Sequence, residues 1–153
     1  MAVRSGSVAM VAAVLALGTG GCGRDNRAVP ASCMSSAGAI ATALHGAPGH
    51  VALTDGTLLS ECVSRARSDA DLQNLGALYT EVADALATQV PTSDRAATEL
   101  GFLVGATRRA AARTNGIDGE LVRRLEQAAG PDGAPAPRRA AYERGLAAGQ
   151  RDG

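Results

Sequence analysis

Between residues 68 and 114, apolar and polar positions alternate with the period of two long amphipathic helices. In the first, Leu72, Leu75, Tyr79, Val82 and Leu86 recur at steps of three or four and form one stripe. Ser68 precedes it as an N-cap, and Asp69 and Asp71 occupy the first turn, where the positive end of the helix dipole favours acids. Pro91 ends this helix. Thr92 or Ser93 then caps a second helix, from Asp94 to about Thr114, which stops at Asn115-Gly116, residues that tolerate the left-handed conformation of a helix end. So short a link makes the pair antiparallel.

With the reversal near residue 91 or 92, Leu86 is expected to face Ala97, Val82 to face Gly101, and Leu78 or Tyr79 to face Gly105. Ala97, Gly101 and Gly105 recur every fourth position, so one side of the second helix is nearly bare backbone that a neighbour can approach closely. Transmembrane small-xxx-small pairs use the same geometry, but the surrounding arginines and acids argue against a membrane span here. The stripe is read as core packing, with a dimer face as the alternative. The same register brings Asp69 and Asp71 alongside Arg109 and Arg113.

The flanking segments are shorter. Residues 36–44 form a weak helix broken by Gly46-Ala47-Pro48-Gly49. Asp55-Gly56 between apolar arms is the sequence of a type I′ turn, and Ser60 then caps a short helix carrying Cys62 and Val63. A third main helix, Asp118 to Ala129, presents Leu121, Val122 and Leu125, with Ile117 packing from its start and Glu120 placed to pair with Arg124. Residues 130–137 (GPDGAPAP) read as a linker, and 138–148 as a short weak helix with Tyr142 and Leu146 that either docks or stays mobile. The predicted fold is all-α: a small helical bundle built on an antiparallel helix hairpin, with a short β-turn or hairpin lid near residues 50–59.

The beginning of the chain has a different character. A basic start with Arg4 and an apolar run of ten residues, 8–17, lead into Thr19-Gly20-Gly21-Cys22. The run is about half of the roughly 20 apolar residues that a spanning helix needs, and its order is that of a cleaved secretory signal. These residues resemble the signal of bacterial lipoproteins, in which a cysteine after small residues receives a diacylglyceryl group before the signal is removed; Thr19 stands where that pattern prefers an aliphatic residue. The resemblance implies lipidation at Cys22 and a domain anchored on the extracytoplasmic face of the cell membrane. The alternative is a secreted chain. The expected organisation is signal 1–21, lipidated cysteine and tether 22–32, helical domain 33–129, linker 130–137 and tail 138–153.

Three cysteines in an exported chain leave one without a pair. Lipidation uses Cys22, and Cys33 with Cys62 are then expected to form a disulfide, in a compartment where such bonds persist, two separate buried thiols being the alternative. With only His45 and His50 beside these thiols, no zinc-ligand spacing occurs and no metal is expected. Without Arg4 the chain carries 14 arginines against 15 acids, a net charge of −1, and its three aromatic rings, Tyr79, Phe102 and Tyr142, give no stacking platform for single-stranded nucleic acid.

Arg108, Arg109, Arg113, Arg123 and Arg124 are the one concentration of charge that suggests a partner: an anion site for an envelope protein or anionic polymer, or cations merely placed at a helix C-terminus. His45, His50, Asp55 and Ser60 sketch a base with an orienting carboxylate, on adjacency alone. Glu81 and Asp84 share a helix face without the Glu-x-x-His of a di-metal bundle. No phosphate loop or GxSxG sequence occurs, so no enzyme activity and no cofactor are expected. Residues 100–129 (LGFLVGATRRAAARTNGIDGELVRRLEQAA) resemble segments of uncharacterised exported proteins of high-GC bacteria, which implies a lineage and no mechanism. Two functions follow: a noncatalytic interaction or scaffolding module of the cell envelope, or a small-ligand-binding protein or enzyme with a pocket near His45–Asp55.

Overall fold

The structure, a computed structural model, describes residues 28–114, 118–130 and 136–153. A 3-10 turn at Ala31–Met34 is followed by α1 (Ala37–Leu44), α2 (Leu59–Arg65), α3 (Asp69–Ala87), α4 (Asp94–Arg113), α5 (Gly119–Ala129) and α6 (Ala136–Asp152). The described residues are thus all-helical and packed as a small bundle.

Helix starts follow local chemistry. The Ser68 hydroxyl accepts the Asp71 N–H at 3.0 Å and the Asp71 carboxylate accepts the Ser68 N–H at 3.4 Å, which satisfies two otherwise orphaned donors. Ser93 accepts from the Ala96 N–H and Ser36 from the Ala39 N–H, both at 3.1 Å. Ser60 is not a cap. Helix α2 begins two residues earlier than that cap implies, at Leu59 after Leu58, with Glu61 accepting the Leu58 N–H at 3.3 Å, and the Ser60 hydroxyl is buried and donates to the Gly153 carbonyl at the end of α6.

Helix α4 forms the centre. Every residue from Ala96 to Thr107 is buried, and a helix covered on all sides needs neighbours on all sides. It has them in α2, α3, α5 and α6, of which α6 makes the most extensive contact. Leu75, Tyr79, Val82 and Leu86 of α3 and Leu121 and Leu125 of α5 complete the core.

The glycine stripe of α4 does not meet α3. A Cβ at Gly101 would land on the Tyr142 carbonyl oxygen and 2.9 Å from the Leu146 nitrogen, and one at Gly105 on the Leu146 carbonyl and 2.9 Å from the Gln150 nitrogen. The fit is mutual: at Gly145 a Cβ would strike the Thr98 carbonyl, and at Gly149 the Phe102 carbonyl. Contacts advance together along both helices, so α4 and α6 run parallel. The expected level pairs, Val82 with Gly101 and Tyr79 with Gly105, are corrected for a steric reason: Ala141, Gly145, Gly149 and Gly153 repeat the same four-residue spacing. Two bare faces let backbone meet backbone, and the bulky α3 stripe packs elsewhere in the core.

Three further expectations are revised. The tail is the expected helix, docked on α4, but longer: α6 runs for 17 residues and takes in Ala136 and Pro137 of the expected linker; residues 131–135 lie outside the described ones. The lid near residues 50–59 has no strands. Its turn is a three-residue loop in which Leu53 N–H donates to the Thr57 carbonyl at 2.9 Å, Gly56 N–H to the Leu53 carbonyl at 2.8 Å, and Gly56 alone takes a positive φ, of 82°. Asp55-Gly56 is therefore not the central pair of a type I′ turn; Gly56 closes the loop, as in hairpin loops of three residues. Finally, Val29 already packs against the core, so the domain begins inside the expected tether.

Candidate functional site

The disulfide joins the 3-10 turn to α2. Cys33 and Cys62 are fully buried, with Cα atoms 5.6 Å apart and sulfurs bonded at 2.05 Å. The pairing expected by elimination is formed. Cys22 lies outside the described residues, as do Asn115, Gly116 and Ile117.

The five arginines do not form an open cationic field. Arg108 binds Glu126 with Nε at 2.8 Å and a terminal nitrogen at 2.7 Å, linking α4 to α5. Glu120 accepts from Arg123 and from Arg124, each approaching to 2.9 Å, so the expected Glu120–Arg124 pair is present and shared. Those two guanidinium groups hold the Glu120 carboxyl down at about 2. Arg109 and Arg113 form no ion pair among the described residues, and the expected Asp69 and Asp71 do not reach them; Asp71 closes the cap of α3 instead. Arg113 is exposed, whereas the Nε of Arg109 is buried without a hydrogen-bond partner.

The residues sketched as a base and its orienting acid are dispersed by other tasks. Asp55 accepts from the Ser32 hydroxyl at 2.7 Å and the Thr57 N–H at 3.0 Å, hydrogen bonds that lower its carboxyl below the usual range. Ser60 is committed to Gly153. His50 is exposed on the loop after α1.

His45, by contrast, sits at a cleft. Helix α1 ends there, and between α1, α3 and the start of α4 lies a hollow of about 280 Å³. Its walls are mainly apolar, with Ala37, Gly38 and Ala41 on one side and Val82, Ala85 and Leu86 on the other. Its polar groups are His45, Glu81, Gln89 and Glu99. Glu99 is buried, its side chain 6% exposed, and Arg95 Nε reaches Oε1 at 2.7 Å from a side chain that is 64% exposed. Gln89 donates its amide to the Ala85 carbonyl at 3.0 Å. Asp84, one turn from Glu81, is exposed and does not line the cleft.

The pocket expected near His45–Asp55 meets this cleft only at His45, while a second hollow of about 480 Å³ lies between α1 and the loop, lined by Thr42, Ala43, Ala52, Leu53 and Thr54. Glu99 and Gln89 are not among the expected residues, and Glu81 is expected only to share a helix face with Asp84. One signal was there: Glu99 is the single charged residue in the otherwise apolar or small stretch from Ala96 to Thr107. Among the described residues no group of three or more His, Cys, Asp and Glu side chains is placed to hold a metal ion, and no helix is long and apolar enough to cross a membrane. No family model, curated protein or solved structure matches the chain.

Proposed function

We propose that the protein is a lipid-anchored, extracytoplasmic module that acts by noncatalytic interaction at the cell envelope. The observation that carries this reading is the use of cysteines. Cys33 and Cys62 are spent on each other, and the remaining cysteine, Cys22, follows directly on a basic start, an apolar run and the small residues Thr19-Gly20-Gly21. A diacylglyceryl group places two chains in the bilayer at about 0.8 kcal/mol per buried methylene, enough to hold a small domain. Arg109 and Arg113, which no carboxylate neutralises among the described residues, are the cations we assign to an anionic envelope partner.

The test is the intact mass of the protein extracted from its native membrane fraction, with and without reduction and thiol alkylation. A diacylglyceryl increment at Cys22, with two further thiols alkylated only after reduction, is the expected result. An unmodified chain with three freely alkylated thiols would overturn the reading.

A further inference from the structure

The cleft between α1, α3 and α4 holds a buried carboxylate, Glu99, paired on one oxygen with Arg95 at 2.7 Å. Glutamate is rarely buried unless paired, because its charge loses hydration. Here the side chain is 6% exposed, yet the partner guanidinium of Arg95 belongs to a side chain that is 64% exposed and meets Oε1 from outside. Apolar replacements for such buried pairs are often neutral or stabilising.

The other groups at the cleft point to one ligand chemistry. Glu81 adds a second carboxylate at the rim and forms no ion pair among the described residues. No arginine lines the hollow itself; the nearest cation, Arg95, meets Glu99 Oε1 from a side chain that is 64% exposed, which leaves Glu81 as the carboxylate at the cleft with no ion pair among the described residues. Helix α1 ends at His45 on the rim, and the C-terminal end of a helix favours positive charge. With its amide nitrogen on Ala85, Gln89 keeps its carbonyl oxygen to accept a hydrogen bond. The alanine, valine and leucine walls suit an apolar stem and not a hydrated metal ion, which demands six or more oxygen ligands. At about 280 Å³ the hollow is near the lower limit of ligand pockets, which restricts its occupant to a few heavy atoms.

We propose that this cleft binds a small organic cation, an ammonium or guanidinium group on a short apolar stem. Glu99 at the floor and Glu81 at the rim hold the charge, and Ala41, Val82 and Ala85 hold the stem. The site does not depend on lipidation of Cys22.

The experiment is an amide NMR titration of the purified, disulfide-intact protein with butylguanidinium, butylammonium and butyrate. Both cations are expected to give saturable shifts at Ala41, His45, Val82 and Ala85, and butyrate none. Glu81→Gln, at an exposed position, should weaken butylguanidinium binding about tenfold, the loss of one charge-assisted hydrogen bond; Glu99→Gln should weaken it at least as much with the melting temperature retained. Absence of saturable shifts with both cations at millimolar concentration would overturn the proposal. So would equal shifts with butyrate, or unchanged affinity in Glu81→Gln, which decides the matter even if Glu99→Gln fails to fold.

Discussion

Gly145 of α6 rests against the Thr98 carbonyl of α4, so closely that a Cβ there would overlap the oxygen and sit 3.0 Å from the Phe102 nitrogen. The Thr98 hydroxyl adds to the same junction by donating to the Ala141 carbonyl at 3.3 Å. Neither atom belongs to a flexible side chain that can move aside, so any substituent at Gly145 must push two helices apart. Gly145→Ala should therefore lower stability by about 2 kcal/mol or more, although alanine is the better helix former. Gly76→Ala in α3, where a Cβ would meet only Leu121 Cδ1 at 3.7 Å, should be neutral or gain about 0.5–1 kcal/mol. Thermal melts of the two variants check the contrast; equal melting temperatures would refute the backbone contact.

The disulfide closes a loop of 29 residues. On the chain-entropy model its removal costs about 3.5 kcal/mol. Cys33→Ser with Cys62→Ser should lower the melting temperature by roughly 10 °C, and reduction of the unmutated protein should reproduce the shift.

Tyr79 is buried between α3 and α2, and its hydroxyl donates to the Leu59 carbonyl at 2.9 Å. Burial pushes its ionisation well above the ordinary phenol value, so it stays a neutral donor. Tyr79→Phe should cost about 1 kcal/mol with helical content unchanged, measured by denaturant unfolding.

Asp118, ahead of α5, is buried, which raises its carboxyl above the usual range even though Thr114 donates to it at 2.8 Å and Arg67 opposes the shift. A raised carboxyl means that the folded state binds the proton more tightly than the unfolded one. Stability contributed by this group is therefore present at low pH and is lost as pH rises from the unfolded value through the folded one. Asp118→Asn should melt higher than the parent at pH 7, with the gap closing below about pH 4. A gap that widens on acidification would reverse the assignment. Glu120 works in the opposite sense, since its carboxyl is held at about 2 and its contribution disappears only in strong acid.

Features that depend on a few neighbouring residues were legible before any fold was known. Ser68 and Ser93 cap where polar residues precede apolar periodicity, Glu120 meets Arg124 because residues four apart share a helix face, and Cys33 finds Cys62 once Cys22 is set aside. The partners of the arginines were less accessible. Glu126 and Arg108 lie 18 positions apart on different helices, and a hairpin register alone pointed to Asp69 and Asp71. The cleft was least accessible, since His45, Glu81 and Glu99 come from three elements and share no local pattern.

The sequence by itself determined the long helices α3 and α4, their caps at Ser68 and Ser93, and the four-residue spacing of small residues in α4, because these follow from backbone propensity and side-chain size within one turn or two. Only the tertiary structure decided that the two small-residue faces belong to each other, in parallel, and that α4 is enclosed on all sides. Helix pairing is a competition for contact area among all faces at once. A bare backbone face gains most from another bare face, and no reading of adjacent segments can rank a partner that arrives forty residues later.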